Sequence, residues 1–381
     1  MGLPPELLDE IISHIPPEDQ KTLQNCSLVA KLWVYPSRRR IFKAVDVWRN
    51  SRLKSWLASI SPTNVEVLQH VRSLTCSVAG VPDPPNPPPD LLRRYLPSFD
   101  RLERLTFHSG FLPSHTHQID TYSAFQHTLS HLSLHYCGVT VSALVTLVDY
   151  FPNLAHLELN NLYYSDGQSR ALPFSRPLQT LTVTDIYTHS GLIFLDQLMG
   201  LRPKCDEVTI STDDIPCPSL AQRVINGVEA SVKRLNLRSD LTGAFSVPEM
   251  AWWRTECNSI ADVGDPLTLS GCRELRELEI YALRPGNLEL ILISSITSPN
   301  IRRMTFTRPL AFKGQSVMDH PNWTRLDDLL CDLADQSKCG PQLEVEFLAL
   351  DVQEWWSGEL GFKKYLPRFY EKGETGVGRG K

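Results

Sequence analysis

The sequence predicts an α/β chain: a small all-α head followed by a solenoid of parallel strands and helices that curves into a horseshoe. Three observations predict it. A phrase of the form L-x-x-L-x-L, with an apolar residue at each L, recurs between residues 71 and 301. Between copies the apolar period changes from two residues to 3.6, the change from strand to helix. Ahead of the copies, the first 45 residues carry apolar stripes at helical spacing.

In the head, Pro4 and Pro5 open a helix, where a missing N–H costs nothing, and Pro16-Pro17 stops it. Leu7, Leu8, Ile11, Ile12 and Ile15 form a doubled i/i+4 stripe along that helix. A second helix is expected to close over Cys26–Trp33, with a stripe of Leu28, Val29, Leu32 and Trp33, and a third to start at Arg38-Arg39-Arg40. A unit this small cannot bury stripes so wide against itself, so the excess apolar surface calls for a partner. The three arginines read either as a solvated face of the third helix or as a nuclear-import patch.

Leu3-Pro4, Glu6-Leu7, Ile11, the run Val29-x-Lys31-x-Trp33 and the closing Phe42 together resemble the F-box, over residues 3–45. The resemblance implies docking onto a Skp-type adaptor and, through it, onto the cullin and RING subunits of a ubiquitin ligase. It assigns adaptor binding to Leu3, Pro4, Leu7, Leu8, Ile11, Ile12, Ile15, Val29 and Trp33. Ala30 departs from the pattern, since many F-boxes have cysteine there, and the stretch 16–25 is longer than in the shortest members. Neither change touches the apolar stripe.

Copies of the phrase begin at Val71, Leu102, Leu129, Leu154, Leu178, Cys205, Val232, Leu275 and Ile301. Six of the eight intervals are 24 to 27 residues long. They lie inside the roughly 20–29-residue period of leucine-rich repeats, which this array resembles. Leu129-x-x-Leu132-x-Leu134-x-x-Cys137 is the clearest copy, with cysteine at its ninth position. Elsewhere bulk (Leu162, Ile186, Leu283) or charge (Asp213, Asp240) takes that place. Between copies, Leu144/Leu147/Val148/Phe151, Leu192/Leu195/Leu198/Met199 and Leu326/Leu329/Leu330/Leu333 are helical stripes. Strands alternating with helices through short connections imply a parallel sheet. A generic α/β domain with Leu-rich strands is the plainer alternative.

This reading divides the chain into the head (1–45), a connecting helix or linker (46–64), the array (65–350) and a cap with a disordered tail (351–381). The segment 81–90 is so proline-rich that it reads as a stiff extended loop, or as a ligand for an SH3 or WW domain. An insertion at 239–274 carries Trp252-Trp253, which reads as a partner anchor or as a plug against the solenoid's side. Another loop is expected over Lys313–Trp323.

Composition narrows the function. A net charge of −5 without a long basic stretch argues against nucleic-acid binding. No apolar run is long enough for a membrane span, and no basic leader precedes an apolar core, so neither membrane insertion nor secretion is expected. Nine scattered cysteines without a C-x-x-C pair fit reduced thiols in the cytoplasm or nucleus. There is no G-x-S-x-G, P-loop or H-E-x-x-H motif, so no enzyme activity, cofactor or metal is expected. His115, His117, His127, His131 and His135 cluster, but on a strand His131 and His135 stand too far apart for a tetrahedral metal site.

Strand alternation turns the residues between the phrase's last leucines to one sheet face. There the sequence nominates His131, His135, His156, Arg234, Arg238, Tyr281 and Arg303, together with Trp252 and Trp253, as substrate-binding residues. The expected function is that of a substrate receptor. The head holds the adaptor, and the array holds a protein substrate through an acidic or phosphorylated segment read by Arg234, Arg238 and Arg303. Pairing of those arginines with Glu277 and Glu279 is the competing expectation. The alternative function is a non-ubiquitinating scaffold or small-molecule sensor.

Overall fold

The recurring phrase is a core pattern. The computed structural model of the chain describes residues 4–16, 19–47, 55–56, 62–76, 98–111, 120–164, 173–186, 188–212, 218–239, 267–281, 287–308, 323–337, 343–349 and 366–371. Every residue at an L position of the copies from Val71 to Ile301 is buried, and none is more than 8% exposed. The chain divides into two compact units, Met1–Ala171 and Leu172–Lys381.

The first unit opens with helices α1 (Pro5–Ser13), α2 (Gln20–Val29) and α3 (Lys31–Ile41). Strands β1 (Ala44–Val47), β2 (Ser73–Cys76), β3 (Arg104–Phe111), β4 (His131–Val139) and β5 (His156–Asn160) follow. They pair in parallel in that order, and the two-residue β6 (Tyr163–Tyr164) also pairs with β4. The crossovers run through 3-10 helices Pro62–His70 and Asp120–Phe125 and through α4 (Val141–Tyr150).

The second unit alternates strand and helix. β7 (Leu178–Thr184), α5 (His189–Gly200), β8 (Cys205–Thr212), α6 (Pro218–Val228), β9 (Arg234–Ser239) and β10 (Glu277–Tyr281) come first. Then follow α7 (Asn287–Ser294), β11 (Arg303–Arg308), α8 (Trp323–Gln336), β12 (Glu344–Ala349) and α9 (Pro367–Glu371). β7 to β12 pair in parallel, each with its successor.

Three backbone devices recur along the strands. The carbonyl just before a strand accepts from two successive N–H groups of the next: Lys43 from Arg72 and Ser73, Arg72 from Glu103 and Arg104, Arg276 from Arg302 and Arg303. A threonine caps the crossover helix, with the Thr140 hydroxyl accepting from the Ala143 N–H at 3.1 Å and Thr188 from Gly191 at 3.0 Å. After the strand's outward residues the chain turns through the left-handed region, at Ser109, Tyr136, Asn161 and Asp185. A bulky tyrosine is a costly occupant there, so the turn geometry outweighs local preference at Tyr136. Cys137, the next residue, is buried and donates from Sγ to the Phe107 and His135 carbonyls.

Two boundaries differ from those the sequence suggests. The second helix ends at Val29 and the third begins at Lys31, so Arg38–Arg40 lie in the last turn of α3 instead of starting a helix. The break is Ala30, in extended backbone at φ −159° and ψ 156°, with its carbonyl accepting from the Trp33 N–H. No Gly or Pro marks that position. The array also starts earlier than residue 65. Phe42-x-x-Val45-x-Val47 is a copy of the phrase, and its strand β1 pairs with β2. Phe42 also fits the close of the head, and that second pattern masks this copy in the sequence. Of the predicted helical stripes, Leu329 is half-buried, whereas Leu326, Leu330 and Leu333 are buried. Loop 81–90, residues 240–266 with Trp252 and Trp253, and the tail from Gly373 lie outside the described residues. Trp323, expected in a loop, begins α8 and is buried.

Candidate functional site

The head is too small to hide its apolar residues, and the helix period decides which ones it hides. On α1, residues 7 and 11 share one line and 8 and 12 the next, about 100° apart. Leu8 and Ile12 turn inward and are 2% exposed, in a core that includes Leu23. Their expected place on the docking surface is therefore corrected to the head's own interior. Leu7 and Ile11 stay 45% and 42% exposed. Ile15 is half-buried and its carbonyl accepts from Arg40 Nη2 at 3.3 Å, and Trp33 is half-buried too. Pro4 is exposed, and Leu3 lies outside the described residues.

Among the described residues the largest apolar exposure sits where α2 meets α3. Leu28, Val29, Leu32 and Tyr35 are 82%, 69%, 61% and 59% exposed. Of these, only Val29 is among the adaptor contacts that the F-box resemblance assigns. The signal for Leu28 and Leu32 was in the sequence, as a stripe without an intramolecular partner. Opening the backbone at Ala30 turns that stripe around a corner, which a single straight helix would not do.

Residues 1–33 match the F-box domain. F-box domains bind Skp-type adaptors and suggest, in general, a substrate adaptor of a cullin-type ubiquitin ligase. In this F-box the matched residues span α1, α2 and the start of α3, so they include the exposed Leu28, Val29 and Leu32. No curated protein matches the chain in sequence.

Beyond the F-box, the strands present polar rows in the register that the phrase predicts. In the first unit Arg104, His131 and His156 form one row, Thr106, Ser133 and Glu158 the second, and His108, His135 and Asn160 the third. His131 and His156 are half-buried instead of open, because their rings stack at 3.9 Å and 18°. Burial, then His156 and Arg104, push His131 down to about 4. Ser130 Oγ lies 2.7 Å from its Nδ1. His135 Nε2 approaches Glu158 Oε1 at 3.4 Å, and Ser133 donates to Glu158 Oε2 at 2.9 Å. These two neighbours hold the Glu158 carboxyl below its usual range against the opposing effect of burial. Among the described residues no three His, Cys, Asp or Glu side chains gather as a metal site.

In the second unit the first row reads Thr180, Glu207, Arg234, Glu277, Arg303, Glu344. The expected pairing of Arg234 with Glu277 does not form. Arg234 Nη2 instead binds Glu207 Oε2 at 2.8 Å, and Arg303 Nη2 binds Glu346 Oε2 at 2.6 Å. By register each arginine has carboxylates on both flanking strands, and side-chain geometry, which register alone does not set, chooses its partner. Glu346 pushes Arg303 further above its usual value. Asn236 donates to Glu207 at 3.0 Å and to Thr209 at 3.2 Å, bracing the same row. Arg238 is exposed beside Ser211. Tyr281 falls in its row by register.

Proposed function

We propose that this chain is a substrate receptor of a cullin-type ubiquitin ligase. Its F-box docks a Skp-type adaptor through Leu28, Val29, Leu32, Leu7 and Ile11, and its strand faces hold the protein to be modified. The observation that carries the reading is the apolar surface at the α2–α3 corner, inside the segment that matches the F-box. Burying a large aliphatic side chain stabilises a complex by up to about 1.5–3 kcal/mol, so a few such residues suffice to anchor an interface. The strands' common period, their shared starting hydrogen bonds and their left-handed turns support a leucine-rich-repeat-like solenoid as the substrate-bearing part. The chain supplies placement and no chemistry of its own: it raises the local concentration of substrate lysines near a conjugating enzyme carried by its partners. Free, buried thiols among the described cysteines support work in the cytoplasm or nucleus.

The test is capture of a Skp-type adaptor by the full chain. Leu28→Asp and Leu32→Asp put a charge into the interface and are expected to abolish capture. Because both residues are exposed, the variants should keep the circular dichroism and melting of the parent. Adaptor capture at parental strength by a folded Leu28→Asp/Leu32→Asp chain would refute the proposal.

A further inference from the structure

The second unit's sheet face differs in charge from what its arginines alone suggest. Arg234 and Arg303 are each held in an ion pair, with Glu207 and Glu346. Setting these pairs aside, Glu277, Glu279 and Glu344 remain on the face against Arg238. Among the described residues neither the Glu277 nor the Glu279 carboxylate forms a side-chain hydrogen bond or an ion pair, although Glu277 feels the charge of Arg303 beside it. Both line a depression of about 240 Å³ with Asn236, Arg303, Thr305 and Glu346. One row further along β11, on the same face as Arg303 and Thr305 by strand alternation, Thr307 is 4% exposed. Its Oγ1 has no hydrogen-bond partner among the described residues. A buried hydroxyl without a partner is uncommon.

We infer that this face docks a basic segment of a protein partner, laid extended along β10 with alternate cationic side chains on Glu277 and Glu279. The two carboxylates occupy alternate positions of β10, about 6.8 Å apart along the strand. An extended peptide repeats its own side chains at the same spacing, so lysine or arginine at every second position meets both carboxylates. Asn236 and Thr305 line the same depression, where they can hydrogen-bond the segment's backbone. An acidic or phosphorylated segment meets the opposite field: its anions would face the unpaired carboxylates, while Arg234 and Arg303 are already engaged. The inference rests on the receptor reading for its purpose and narrows the substrate to one with an exposed basic stretch.

The experiment is fluorescence anisotropy of the full chain with a short labelled peptide alternating lysine and serine, and with its glutamate–serine counterpart. The lysine peptide is expected to bind and the glutamate peptide not. Glu277→Gln/Glu279→Gln should weaken lysine-peptide binding by at least about tenfold, as loss of two charge-assisted contacts predicts. Glu274→Gln/Glu371→Gln removes the same net charge at exposed positions off this face and should leave binding unchanged. Retained binding in the first variant, equal loss in the second, or preference for the glutamate peptide overturns the inference. Adaptor capture reports on the F-box separately: it should stay at parental strength in Glu277→Gln/Glu279→Gln, whereas Leu32→Asp should lose it and keep the peptide.

Discussion

Acid should destabilise the first unit through one ring. His131 stacks on His156 at 3.9 Å and stands in register with Arg104 on the other side, so a proton on it is opposed by burial and by two cations or potential cations. A histidine held near 4, against 6.5 when unfolded, binds its proton better in the unfolded chain. Its contribution is therefore complete above about 6.5 and drains away as pH falls towards about 4. The full shift corresponds to roughly 3.4 kcal/mol at 1.36 kcal/mol per pH unit. Solvent screening of a half-exposed ring reduces this to about 1–2 kcal/mol. Glu158 acts in the same direction lower down, since a depressed carboxyl contributes above its ordinary 4.5 and loses that contribution as pH falls through its folded value. His131→Phe keeps a ring on His156 and removes the titration. Between about pH 7.5 and about pH 5 the unfolding free energy from urea titration should fall less in His131→Phe than in the parent, by about 1 kcal/mol. Equal pH slopes would refute the reasoning, and would mean that the stack opens to solvent before it charges.

Leu132→Ala, at 0% exposure in the phrase of β4, should cost about 2–5 kcal/mol in urea unfolding, whereas Ile193→Ala, 36% exposed on α5, should cost within about 0.5 kcal/mol. Asp327 is 1% exposed, and its carboxylate accepts from the Arg368 and Phe369 N–H groups at 3.1 and 2.9 Å. Asp327→Ala strips the start of α9 of its acceptors and should cost about 1.5–3 kcal/mol, read as a lower urea midpoint and faster proteolysis near residue 367. A midpoint unchanged in Leu132→Ala or in Asp327→Ala would count against this packing.

Much of the fold was legible because burial is periodic. Each L of the phrase had to face inward, so Leu132, Leu157 and Leu235 could be placed, and with them the register that aligns His131 with His156 and Arg234 with Glu277. The same logic failed where a residue serves two patterns at once. Phe42 fits both the end of the head and the first strand phrase, and only pairing of β1 with β2 decides between them. It failed again where no special residue marks a break, as at Ala30.

The sequence by itself determined which residues are apolar, at what period, and hence the order of strands and helices and the rows along each sheet. Composition and spacing are one-dimensional quantities, and hydrophobic burial reads them directly. Only the tertiary structure decided how partners are chosen inside a row or around a helix. It sent Leu8 and Ile12 inward while leaving Leu28 and Leu32 out. It also gave Arg234 to Glu207 and Arg303 to Glu346. Those choices depend on distances of a few ångströms between side chains far apart in the chain, and no local pattern carries them.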